Sequence, residues 1–173
     1  MRRAIVLVIV SALAALVPVS VRAEGLPGHT VQVSLNQASY QPGETLRVSI
    51  TVANPGPARQ VHFAAGILLG WGAAGCGAGA AAFFTADFTS VEVRCLASTS
   101  LGQLPLVARD VTLPASLPAV TAEVWGYTVG PTFPPGVYPI FVAVLAADGP
   151  ADQGLAAQML AFDVKVATVA WAP

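Results

Sequence analysis

Two short stretches of strict alternation constrain this chain more than anything else in it. Val31, Val33 and Leu35 alternate with Gln32, Ser34 and Asn36, while Leu46, Val48, Ile50 and Val52 alternate with Thr45, Arg47, Ser49 and Thr51. Successive side chains of a β-strand point to opposite faces, so a period of two describes a strand with one face in a core and the other in water. The punctuation is equally specific. In Gln41-Pro42-Gly43 the proline presets φ and the glycine accepts the positive φ of a type II turn, and Asn54-Pro55-Gly56-Pro57 stops the second stretch.

Read onward in the same way, the chain offers strands at 61–69, 81–85, 90–96, 107–113, 119–128, 137–145 and 157–168, separated by Ser, Gly and Pro. In 119–128, if the even positions Val120, Ala122 and Val124 are the core face, Trp125 and Tyr127 stand beside Glu123 on the outer face; with the faces reversed, or a neighbouring loop over them, the two rings are covered instead. In the last stretch Leu160, Phe162, Val164 and Val166 face one way, with Asp163 and Lys165 opposite. No helical stripe of 3.6-residue period is present. About seven to nine strands joined by Pro/Gly turns predict an all-β fold, an antiparallel β-sandwich, with a closed barrel as second choice.

Composition supports a single packed domain. Of 173 residues, 55% are hydrophobic and only 10% charged, and the mean hydropathy is +0.69. A chain of this length buries roughly 70% of the surface its unfolded form exposes. Disordered polyelectrolytes and collagens are excluded by these values.

The N-terminus reads as a processing segment rather than as part of the fold. Met1-Arg2-Arg3 precedes an apolar run from Ala4 to Val19, and Val21 and Ala23 stand where a signal peptidase needs small or aliphatic side chains. Residues 1–23 are therefore expected to be a signal peptide cleaved between Ala23 and Glu24, leaving 24–173 as one domain. Pro18 and Arg22 interrupt the run before it reaches the roughly 20 residues that span a bilayer. Cleavage would remove Arg2, Arg3 and Arg22 and leave five basic side chains against nine acidic, a net of −4. A chain so charged has no electrostatic attraction to nucleic acid or to an anionic membrane, and stable membrane insertion is not expected after cleavage. In an oxidising compartment Cys76 and Cys95 are expected to form one disulfide, since no His lies between them and their spacing is not that of a metal site.

The segment Ser39-Tyr40-Gln41-Pro42-Gly43-Glu44-Thr45-Leu46, continuing to Asn54-Pro55-Gly56, resembles a module that recurs in exported bacterial proteins. Pro134-Pro135-Gly136-Val137-Tyr138 is similar to the Pro-x-Gly-x-Tyr entry into the penultimate strand of immunoglobulin-like domains. The resemblance implies an exported immunoglobulin-like β-sandwich acting as an accessory or adhesive module. It also implies that Tyr138 occupies the place of the corner tyrosine, whose hydroxyl bonds backbone near the turn. The chain departs from the pattern in its disulfide, which would tie a loop to a neighbouring strand instead of joining two sheets.

Residues that could carry chemistry are few. His29 lies among Gly and Pro near the expected mature start and is expected to be exposed, and His62 alternates with Val61 and Phe63 and so points outward. No Gly-x-Ser-x-Gly elbow accompanies either. A blue-copper site needs a His after its Cys; Met159 follows Cys95, but both histidines precede it. Asp148 and Asp152 flank a turn without a third carboxylate, which is a poor calcium site. No cofactor, metal or catalytic residue is expected. Trp125 and Tyr127 form the one candidate recognition surface, suited to stacking on a sugar or docking a protein. The expectation is a secreted, periplasmic or cell-surface binding or accessory module without enzymatic activity, with an undefined protein or glycan partner. A proteinase inhibitor of the bacterial immunoglobulin-like type is the alternative.

Overall fold

A computed structural model describes residues 29–70, 73–76, 79–149 and 155–171. The signal segment and its cleavage point at Ala23 and Glu24 lie outside these residues, as does Asp152. The described chain is almost entirely β. Its order is β1 (Thr30–Leu35), β2 (Ser39–Tyr40), β3 (Thr45–Asn54), β4 (Arg59–Leu69), β5 (Ala80–Phe84), β6 (Val91–Cys95), β7 (Ala108–Leu113), β8 (Leu117–Thr128), β9 (Gly136–Ala146), a four-residue helix α1 (Leu155–Gln158) and β10 (Met159–Val169). Ten strands therefore stand among the described residues where seven to nine were expected, the addition being the two-residue β2. That strand also corrects the antiparallel expectation, because β2 runs parallel to β10 and makes its sheet mixed.

The turns form for the reasons read from the sequence. Gly43 sits at φ +95°, a conformation that side chains other than glycine resist. Just before it Tyr40 is fully buried, and its hydroxyl donates to the Gln37 carbonyl at 2.7 Å. Asn54 is likewise buried. Its amide nitrogen donates to the carbonyls of Pro57 and Pro114, and its Oδ1 accepts from Gly56 N–H, so one side chain holds two loops together.

The strands make two sheets. The smaller has the order β1-β3-β8; the larger runs β2-β10-β9-β4-β5-β6, with β7 also paired to β4. One apolar core lies between them, drawing Val31, Val33, Leu46 and Val48 from the small sheet and Val61, Phe63, Ile140, Val142 and Val144 from the large one. Asp163 joins the two sheets by a different means, its Oδ2 accepting from Val33 N–H at 2.7 Å. A buried edge-strand N–H needs a partner, and a carboxylate on the opposite sheet supplies it.

That contact fixes which way β10 faces. Asp163 pairs with Val142 and Phe162 with Ala143, so the polar residues Asp163 and Lys165 face the small sheet while Phe162, Val164 and Val166 face away from it. Leu160 leaves the apolar set because a bulge between Met159 and Ala161 returns it to the inter-sheet core. The outer face of the large sheet carries a second apolar cluster, including Ala64, Phe83, Phe141, Ala143 and Leu145, covered in part by Leu101, Leu104 and Leu106 of the connection to β7. Strands β4, β5 and β9 are thus apolar on both sides.

Cys76 and Cys95 form a disulfide with their Cα atoms 5.3 Å apart. Cys95 lies on β6 opposite Ala80 of β5, so the bridge ties the segment before β5 to the next strand of the same sheet. An intramolecular disulfide of this kind is favoured by an oxidising compartment. Among the described residues, no helix is long and apolar enough to cross a membrane.

Candidate functional site

The outer face of the large sheet is not filled evenly. Across it, Ala64 of β4 lies opposite Ala143 of β9, and Ala143 opposite Phe162 of β10. One pleat repeat to either side, about 7 Å along the strand, stand Phe141 and Leu145. Two adjacent alanines between larger side chains leave a trough that crosses β4 and β9.

Gly66 shapes one wall of it. It pairs with Phe83 on one side and Phe141 on the other. With no side chain between them, the two rings meet over β4 edge to face, with centroids 5.4 Å apart. Such pairs contribute about 0.5–1.5 kcal/mol beyond their buried area. A Cβ on Gly66 would lie 2.2 Å from the Ala82 carbonyl oxygen, so the strand geometry also demands glycine here. Phe162 stacks on Phe141 at 5.9 Å and extends the aromatic wall. Leu96 at the end of β6, Met159 and the first two residues of α1, Leu155 and Ala156, complete a cavity of about 370 Å³. This volume lies within the roughly 300–1,000 Å³ of small-molecule sites. No nitrogen or oxygen occurs in any of the side chains lining it.

Trp125 and Tyr127 stand elsewhere, and their expected face is corrected. Trp125 pairs with Val48 and Glu123 with Ser49, leaving Val124 as an extra residue in β8. A β-bulge of this kind resets the alternation. Val120 and Ala122 lie opposite Val52 and Ile50 but are exposed, Val120 by 50%, so they are not the covered core face expected; beyond Val124 it is Trp125 and Tyr127 that share the inner face, opposite Val48 and Leu46. Glu123 stays outside and pairs with Arg47 at 3.1 Å. Trp125 packs on Phe84 across the sheets at 4.7 Å and on Tyr127 at 5.9 Å. The row continues through Phe133 to Tyr138. Trp125 is half-buried; Tyr127 remains 39% exposed. The pair is therefore a flank of the inter-sheet core with one accessible ring.

The remaining candidates have structural partners. Tyr138 donates its hydroxyl to the Pro134 carbonyl at 2.6 Å, and burial raises its pKa. His62 does not project into solvent as expected. It is 8% exposed, and its Nδ1 accepts from Asp110 N–H at 3.0 Å, where Asp110 adopts φ +51° beside a bulge between β4 and β7. His29 is half-buried rather than exposed, and burial, followed by Arg59, lowers its pKa. Asp148 pairs with Arg59 at 3.3 Å, which lowers its pKa. Among the described residues no group of three or more His, Cys, Asp or Glu is placed to hold a metal ion.

No protein-family model matches this chain, and no curated protein matches it. Solved structures similar to parts of it include Spo0M, a sporulation control protein from Bacillus subtilis, at 10% identity and a TM-score of 0.43 over 83% of this chain; the chain spans 50% of that protein's length. A Niemann-Pick type C2 protein from Japanese carpenter ant aligns over 83% of this chain and 93% of its own, at 11% identity and a TM-score of 0.37. A mutant β-glucosidase from Listeria innocua, in complex with laminaribiose, aligns over 82% of this chain and 16% of its own, at 15% identity and a TM-score of 0.34.

Proposed function

We propose that this chain is an exported, non-enzymatic binding module, an immunoglobulin-like sandwich that holds a small apolar molecule on the outer face of its larger sheet. The observation that carries the proposal is the trough over Ala64 and Ala143. A sheet packed on one partner sheet needs only one apolar face, yet β4, β5 and β9 are apolar on both, and the second face leaves a hydrocarbon-lined groove of about 370 Å³. The apolar wall of this groove stands against water, and an apolar ligand that covers it is favoured in proportion to the area removed from water. Export is supported by the N-terminal pattern and the disulfide. The immunoglobulin-like assignment is supported by the two turn signatures and by two sheets sharing one core.

Binding of a neutral fluorescent probe, N-phenyl-1-naphthylamine, tests the reading. The protein is expected to bind it saturably at one site with enhanced emission. Ala143→Phe, which fills the trough, is expected to weaken binding by tenfold or more. Absence of saturable binding to the folded protein contradicts the proposal.

A further inference from the structure

We infer that the ligand of this trough is the single hydrocarbon chain of a free amphiphile, an inference that rests on the binding reading above and narrows it. The chemistry of the wall comes first. All eleven side chains around the cavity are hydrocarbon or, at Met159, thioether. A ligand polar atom carried inside would lose its water and find no side-chain hydrogen-bond partner, at a cost of roughly 2–7 kcal/mol. The enclosed part of the ligand is therefore hydrocarbon, and any polar group stays at the mouth, where Ala156 is exposed.

Shape and size narrow the class. The lining forms an oblique band across the larger sheet, running from Met159 and Leu145 past Ala143, Ala64 and Phe141 to Phe83, Leu68 and Leu96. A band that crosses from β10 to the end of β6 with so small a volume is long and narrow, and it accepts a slender chain lying obliquely over the strands and not the broad plate of a fused-ring compound. An engineered cavity of about 150 Å³ holds one benzene. On that scale 370 Å³ corresponds to about fifteen carbon atoms, the length of a long acyl chain. Free fatty acids and single-chain phospholipids share this chemistry.

Isothermal titration of the purified folded protein decides the point, with octanoate, dodecanoate and tetradecanoate, dodecylphosphocholine and a sterol sulfate, each below its micelle concentration. Affinity is expected to rise about fourfold per added methylene, as burial of one CH₂ at about 0.8 kcal/mol requires. Ala143→Phe should weaken tetradecanoate more than octanoate. Ala156→Trp, at the exposed mouth, gives the same test should the first variant not fold. Binding of either twelve-carbon ligand supports the inference, and the tighter of the two identifies a fatty acid or a phospholipid as the source of the chain. Binding of the sterol sulfate with no chain-length dependence overturns the inference while leaving the apolar-ligand reading intact. Failure of every ligand and of the naphthylamine probe overturns both. Chain binding unchanged in both variants also overturns it, because the site would then lie elsewhere.

Discussion

Gly66 decides more than its missing side chain suggests. Its Cβ position is 2.2 Å from the Ala82 carbonyl oxygen, and the space above it is where Phe83 and Phe141 meet. Gly66→Ala should therefore destabilise the protein by about 1–3 kcal/mol, the range for overpacking a tight site, as read from the midpoint of urea unfolding. An unchanged midpoint would contradict this account of the wall. At the β5–β6 turn, Asp87 accepts hydroxyl bonds from Thr85 at 2.6 Å and Thr89 at 2.5 Å, together with Thr89 N–H. These bonds, led by Thr85, hold its pKa down to about 2 against an ordinary 3.8. A carboxylate with a depressed folded pKa stabilises above its unfolded value, and that contribution disappears as pH falls through the folded one. The turn should thus be intact at pH 5 and loosen between about pH 4 and 2. Carbon-detected titration of the Asp87 carboxyl checks this, and a midpoint near 4 would show that the bonds do not persist in solution.

The strands were largely legible from alternation and Pro/Gly punctuation, because each edge of a half-buried strand is written in its own residues. Which way a strand faces was less legible. In β8 the alternation holds up to Val124, where one extra residue turns Trp125 and Tyr127 inward; a bulge is a property of two paired strands, and one strand's sequence does not record it. In β10 the grouping of faces holds from Phe162 to Val166, and the strand's own residues do not say that the more apolar face is the outer one, which follows from Asp163 being taken up by the backbone of β1. Trp125→Ala tests the corrected face. A half-buried ring packed on Phe84 should cost about 3 kcal/mol, the lower end of the range for core aromatics, in thermal or urea unfolding. A melting temperature equal to that of the parent would restore the outward-facing, sugar-stacking arrangement.

At the scale of the molecule, two sheets require three apolar faces here, two against each other and a third on the outside of the larger sheet. A signal for the third exists in the sequence. Ile140-Phe141-Val142-Ala143-Val144-Leu145-Ala146 and Ala80-Ala81-Ala82-Phe83-Phe84 are uninterrupted apolar runs, which is how a strand buried on both faces reads. What the runs do not encode is that Ala64, Ala143 and Gly66, on different strands, come side by side to leave a trough, because that depends on inter-strand register. The central claim is that this trough, and not the core between the sheets or the Trp125–Tyr127 flank, takes up an apolar molecule. Methyl-resolved NMR during titration with N-phenyl-1-naphthylamine tests it most directly. Saturable shifts at Ala64, Ala143, Leu145 and Met159, with Val33, Val48 and Val61 unmoved, are the predicted result; shifts confined to the inter-sheet methyls, or none at all, would contradict it.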